Sequence, residues 1–216
     1  MKGKHIVLGE PRQWEMMSAS LGRTYSEQEI LEAVESRSGE ITVKKSPNVA
    51  EDAARLIADG NIVGWFYGGS EYGPRALGNR SILADARHPD MKDILNEKVK
   101  HRESWRPFAA SILAEDQREW FELDHESPFM LLAAEVTADK RGRIPSVTHV
   151  DHTSRIQSVT RAANGRYYDL IAAFKKITGV PLVLNTSFND AGEPIVETPA
   201  EAIACFLNTK MDFLVL

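Results

Sequence analysis

Short apolar runs and helix-period patterns alternate along nearly the whole of this 216-residue chain, and that alternation limits its fold more than any other feature. NIVGWFY (61–67), FAASIL (108–113), FMLLAAEV (129–136), VPLVLN (180–185) and FLVL (213–216) read as strands, the third and fourth of them buried and the last making the chain end part of the core. RIQSV (155–159) alternates only weakly. Between them, 90–99, EDQREWF (115–121) and GRYYDLIAAFKKITG (165–179) read as helices, the last closed by glycine. Thr198, Pro199 and Glu201 form another helix start, with proline in the first turn and a carboxylate three residues past the cap. Strands and helices interleaved in this way give an α/β fold built on an open, twisted sheet of mixed strand direction with flanking helices.

The first sixty residues read as a peripheral segment of short helices, with the main domain over 61–216. Ser26 and Glu29 make a capping box for an amphipathic helix over 26–36 that Gly39 ends, ITVKK (41–45) suits a short edge strand, and Asn48 to Gly60 bound a second helix. The stretch MKGKHIVLGEPRQWEMM has too short an apolar run for a signal peptide, and no run approaches the roughly 18 residues that span a bilayer. The single Cys205 rules out an internal disulfide and reads as a small core residue. A cytoplasmic protein is expected.

Net charge is −5, which argues against a nucleic-acid surface. Yet residues 71–106 hold eight Lys and Arg against six Asp and Glu, leaving −7 for the remainder. Locally basic sequence in an acidic protein suits a small anion or a solvated face.

Three polar segments interrupt the pattern where strands stop. In EYGPRALGNRS (71–81), Arg75 and Arg80 lie in a glycine-containing loop, and arginine's planar fork of donors suits phosphate or carboxylate. Arg80 has an equal alternative, an internal pair with Glu71 or Asp85. In NEKVKHRESWRPFA (96–109), Arg106 precedes a strand and so stands at the sheet margin, whereas Arg102 with Glu103 reads as structural. In LNTSFNDAGEP (184–194), a buried strand ends in neutral hydrogen-bonding side chains, at the kind of place where open α/β sheets put ligands. Taken alone, that segment reads better as an Asx-type turn satisfying its own backbone. His149, Asp151 and His152 have the residue types of a metal trio but lack obvious partner ligands, and Arg155 is one more cation ahead of a strand. No P-loop or dinucleotide fingerprint is present.

Taken together, GPRALGNRSILAD (73–85), VKHRESWRPFAASIL (99–113), HVDHTSRIQSV (149–159), TGVPLVLNTSFNDAGEPIVETPAEAI (178–203) and DFLVL (212–216) resemble the C-terminal domain of the O-carbamoyltransferases of nodulation and antibiotic biosynthesis. The resemblance implies a YrdC-like α/β fold and an enzyme that binds carbamoyl phosphate and helps form a carbamoyl-adenylate with ATP and a divalent metal. It places carbamoyl-phosphate contacts on Arg75, Lys100, Arg106, Arg155, Asn185 and Ser187, with Arg75, Lys100 and Arg106 in catalytic roles. No metal ligand is assigned in this chain. Family members normally carry a larger N-terminal ATPase-like domain that this sequence lacks, so an ATPase-like domain or subunit is an expected partner. His152 stands where glycine is common in the family. Two other readings are a threonylcarbamoyl-adenylate-type domain for tRNA modification and a non-catalytic anion-binding module.

Overall fold

The computed structural model describes residues 16–216; most of the stretch excluded above as a signal peptide lies outside them. Seven strands form one sheet: β1 (Val63–Phe66), β2 (Arg80–Ala84), β3 (Ala109–Leu113), β4 (Leu132–Glu135), β5 (Thr153–Val159), β6 (Leu182–Ser187) and β7 (Phe213–Val215). Their spatial order is β4-β5-β3-β6-β2-β1-β7. The β1–β7 and β3–β5 pairs are parallel and the other four antiparallel, so the sheet is mixed. Six α-helices accompany it among the described residues: α1 (Glu27–Glu35), α2 (Val49–Ala58), α3 (Met91–Lys98), α4 (Gln117–Trp120), α5 (Gly165–Thr178) and α6 (Pro199–Asn208).

Local sequence explains most helix boundaries. Ser26 and Thr198 cap α1 and α6 in full capping boxes with Glu29 and Glu201, each of which satisfies two otherwise orphaned N–H groups. Gly179 ends α5 at φ +72°, where a side chain would be strained. Asn48 precedes α2 without a side-chain cap; Ser46 instead donates to Asp52 in the first turn. Helices α2 and α5 pack on each other and on the central strands, while α6 covers β1 and β7. Ala53, Ala54 and Ile57 of α2 belong to the same core as Trp65, Leu83, Val183 and Phe174.

Four elements differ from the sequence reading. Strand β2 was read as loop, because RSILA follows a turn signal and offers only three consecutive apolar residues; Arg80 and Ser81 are therefore strand residues. Residues 41–45 form no strand, since neither sheet edge takes them as a neighbour and Val43 stays exposed. FMLLAAEV is not a buried strand: β4 covers only 132–135, pairs on one side, and buries Ala134 alone. The C-terminal β7 is the other edge strand, with Phe213 41% exposed and Leu214 to Leu216 half-buried against the core. An edge strand has one neighbour, and apolar composition cannot reveal that.

Candidate anion site

Four loops meet at one margin of the sheet. Ala109 at the start of β3 pairs with Arg155 of β5 on one side and with Asn185 of β6 on the other. Ser81, at the start of β2, pairs with Ser187 at the end of β6. Paired residues point to the same face, so Arg155, Asn185 and Ser187 project together. Ligands of open α/β sheets sit beyond strand C-termini; here β6 ends at the site, as does β1, whose Phe66 pairs with Arg80 and whose following loop carries Arg75, while β2, β3 and β5 begin there.

The loop 71–79 is fixed from many directions. Glu71 Oε1 accepts from the N–H groups of Leu77 and Asn79 at 2.6 and 2.8 Å. Asn185 Nδ2 donates to Ala76 O at 3.1 Å, Gln157 Nε2 to Leu77 O at 2.8 Å, and Trp65 Nε1 to Gly78 O at 2.9 Å. Gly78 adopts φ +103°, and a Cβ there would lie 2.1 Å from the Tyr167 ring. Arg80 is fully buried over the Phe66 ring, its guanidinium donating to the carbonyls of Tyr67, Gly68 and Glu197. Its role is internal, but its partners are backbone carbonyls; Glu71 holds the loop backbone, and Asp85 pairs with Arg87.

Arg75 and Arg155 contrast with Arg80 at their terminal nitrogens. All three have a buried Nε without a hydrogen-bond partner among the described residues, but the terminal nitrogens of Arg80 are held by carbonyls, whereas Arg75 and Arg155 are half-buried and no described group takes theirs. No carboxylate among those residues pairs with either. Burial pushes the Arg155 guanidinium below its ordinary value, and the neighbouring Arg75 and Arg102 cations push it the same way. Asn185 Oδ1 is a third buried atom with no partner. Its Nδ2 is engaged with Ala76 and with Ser111 Oγ at 2.9 Å. The Tyr167 hydroxyl lies against Ser111 and Asn185 without an aligned bond to either, and burial pushes it far above its ordinary value. Buried polar atoms are nearly always satisfied; the Nε atoms of Arg75 and Arg155 and the Oδ1 of Asn185 are exceptions that share one sheet margin.

Lys100 is 3% exposed and donates to Ser187 O at 2.9 Å, Asn189 O at 2.7 Å and Asn189 Oδ1 at 2.6 Å. Burial, then the Arg102 cation, lowers it to about 8. It ties down the loop after β6, where Ser187 Oγ also donates to Asn189 Oδ1. Arg106 is exposed and paired with Glu103 at 2.9 Å, while Arg102 takes Asn96 Oδ1 and stacks over Phe108. The structural reading of Arg102 therefore stands with a different partner from Glu103. These residues, with His101, Asp190 and Gly192, line an adjoining cleft of about 750 Å³.

His149, Asp151 and His152 form a turn. Asp151 Oδ1 accepts from the N–H and hydroxyl of Thr153, and His149 Nε2 faces Phe108 O. Among the described residues no group of three His, Cys, Asp or Glu is placed to hold a metal ion. His152 adopts φ +65°, in the region that favours glycine. Sequence reading missed Gln157, Ser111 and Tyr167, and named Glu71 only as a possible partner of Arg80, whereas it holds the loop backbone.

The family whose description is Carbamoyltransferase C-terminus matches residues 54–216. Nodulation protein NolNO of Sinorhizobium fredii is 51% identical over 181 residues, which cover 82% of this chain and 27% of that protein. Nodulation protein NolO of Bradyrhizobium diazoefficiens is 49% identical over 182 residues, 83% of this chain and 33% of that protein. The chain thus spans about a third or less of these relatives. Among solved structures, full-length HypF in its phosphate- and nucleotide-bound form superposes with a TM-score of 0.55 at 15% identity, over 80% of this chain and 25% of that one. P. abyssi Sua5 complexed with L-threonine gives 0.54 at 16%, over 76% and 45% of the two chains, and E. coli YciO 0.53 at 12%, over 79% and 78%. At such identities the likeness is one of fold, and the fold is YrdC-like. No helix among the described residues is long and apolar enough to cross a membrane. By its sequence, the chain belongs to the carbamoyltransferase C-terminus family.

Proposed function

We propose that this domain binds carbamoyl phosphate at the sheet margin and helps generate an activated carbamoyl group, carbamoyl-adenylate, for transfer to a small-molecule acceptor. The observation that supports this most is the set of open buried atoms: Nε of Arg75, Nε of Arg155 and Oδ1 of Asn185. Carbamoyl phosphate has a dianionic end and a neutral amide end. Arg75 and Arg155 take the phosphoryl oxygens by charge-assisted hydrogen bonds and stabilise charge on the departing phosphate. Asn185 Oδ1 accepts from the carbamoyl NH₂, where a charged partner would be wasted, and Ser187 borders the same end.

Lys100 acts through the loop it holds and through its charge. Arg106 exchanges Glu103 for ligand phosphate; an exposed ion pair is worth little and breaks readily. Together with Arg102 and His101 it serves the adjoining cleft, whose volume suits the larger second substrate, ATP. Glu97, Glu103 and Asp190 border that cleft, but Glu103 is paired with Arg106 and Asp190 with His101, and no three such groups among the described residues are placed to hold a metal ion. Any metal then arrives with the nucleotide or from another part of the protein, such as an ATPase-like domain, and no step here is routed through it.

Calorimetric titration of carbamoyl phosphate tests this reading, with inorganic phosphate as control and Arg75→Ala and Arg106→Ala as variants. Tighter binding of carbamoyl phosphate than of phosphate, lost most in Arg75→Ala, is expected. Equal binding of both ligands by both variants and wild type would sink it. The fold likeness to Sua5 favours one second reading, a threonylcarbamoyl-adenylate-type domain, and heat from L-threonine in the same titration would support that instead.

A further inference from the structure

Successive backbone N–H groups turned toward one point form the concavity by which loops hold anions. The N–H groups of Leu77, Asn79 and Arg80 make such a concavity, with Gly78 N–H donating instead to Ser81 Oγ at 3.0 Å, and it is filled from within. Glu71 Oε1 accepts from Leu77 N at 2.6 Å, Asn79 N at 2.8 Å and Arg80 N at 3.4 Å. The backbone of Glu71 is itself anchored: it bridges to Ser20, and Tyr72 N donates to Ala19 O at 2.7 Å. Arg80, the cation nearest in sequence to this loop's end, spends its guanidinium on carbonyls and forms no ion pair with Glu71.

A ligand phosphate therefore finds the loop's backbone donors occupied and is left to the side chains of Arg75 and Arg155. We infer that Glu71 is a positioning residue, an internal acceptor that locks the backbone of Leu77, Asn79 and Arg80 and so fixes the direction in which Arg75 meets the ligand. This rests on the reading of Arg75 as a phosphate ligand. Without the carboxylate, three inward-facing N–H groups lose their acceptor, and the loop either rearranges or takes the ligand's phosphate onto its backbone.

The test is a double-mutant cycle read by titrating carbamoyl phosphate into wild type, Glu71→Ala, Arg75→Ala and the double variant. Glu71→Ala alone lowers affinity about tenfold, and in the Arg75→Ala background it changes affinity less than about twofold, because the two share one route to the ligand. Glu71→Gln, which keeps an acceptor oxygen, recovers most of the loss. An equal loss in both backgrounds, or no recovery with Gln, would overturn the inference and leave Arg75 as a ligand. If Arg75→Ala binds like wild type, the underlying reading fails instead. Amide exchange on wild type decides the bracing even then, or if Glu71→Ala does not fold: Leu77 and Asn79 N–H must exchange far more slowly than exposed Gly73, and exchange at the same rate would refute it.

Discussion

The two loops that bring arginines to the sheet margin are built in opposite ways. Residues 71–79 are held by Glu71, Trp65, Gln157, Asn164 and Asn185, groups from four other places in the fold, and they present Arg75 with its Nε open. Residues 99–107 are held at their base by Asn96, which donates to Ser104 O and Arg106 O, while Trp105 and Arg106 stand in solvent. The first loop stores its cation without a partner; the second gives its cation a replaceable one. Preorganised donors cost nothing to orient when the ligand arrives, whereas a solvated, ion-paired side chain must be freed and ordered first.

Gly78→Ala should break this contrast most severely. The new methyl meets the Tyr167 ring in a backbone conformation that disfavours side chains, and a loss of about 3 kcal/mol or more is expected, read as a large fall in the thermal midpoint. An unchanged midpoint would mean that the loop is softer than its hydrogen bonds indicate.

Arg75→Ala and Arg155→Ala come next, and here stability and binding should separate. Each should cost about 1.5–3 kcal/mol in carbamoyl-phosphate affinity. Neither should lower the thermal midpoint, since no described carboxylate pairs with either, and at Arg155 the substitution also relieves desolvation and the repulsion of Arg75 and Arg102. A midpoint that falls together with affinity would reassign these arginines to the scaffold.

Lys100 sharpens the comparison through pH. Its folded value of about 8 lies below its ordinary 10.5, so between these values the unfolded chain binds the extra proton. Stability contributed by this group therefore rises with pH through that window and is lost as pH falls through about 8. Ligand affinity runs the other way, falling as pH rises through about 8 as the cation is lost. Lys100→Met should flatten that part of the profile, and a profile identical to wild type would remove Lys100 from the site's field.

Arg106→Ala is expected to give the smallest effect. Its pair with Glu103 is exposed and contributes about 0.2–1 kcal/mol at most to stability. Its share in binding should shrink further in high salt, whereas that of Arg75 should persist. Equal salt sensitivity of the two variants would erase the distinction between the loops.

Helix starts were the most legible part of the sequence, because a capping box is a local signal; Ser26 with Glu29 and Thr198 with Glu201 needed nothing distant. Strand centrality was not legible, since FMLLAAEV is as apolar as a buried strand and becomes an edge only through the order of the whole sheet. The same divide runs through the site. Arg75, Arg106 and the Asn-Thr-Ser strand end were candidates by residue type beside strand-like runs. Arg80, for which an internal role was an equal alternative in sequence, is the member consumed by the scaffold. Gln157 and Tyr167 reach the loop from about eighty residues away or more, and no local pattern encodes such a meeting.

The β6 pairings carry a consequence for how the domain is made. Asn185 bonds to Ala76, 109 residues earlier, and Lys100 to Ser187, 87 residues later. Contacts of such separation form late and slowly, after the entropy of closing large loops has been overcome. The anion pocket therefore forms only after β6 has joined the sheet. A ligand that binds only the folded sheet draws the folding equilibrium toward it, by an amount that grows with the logarithm of its concentration. The ligand proposed for this site would then act on the domain as a chemical chaperone.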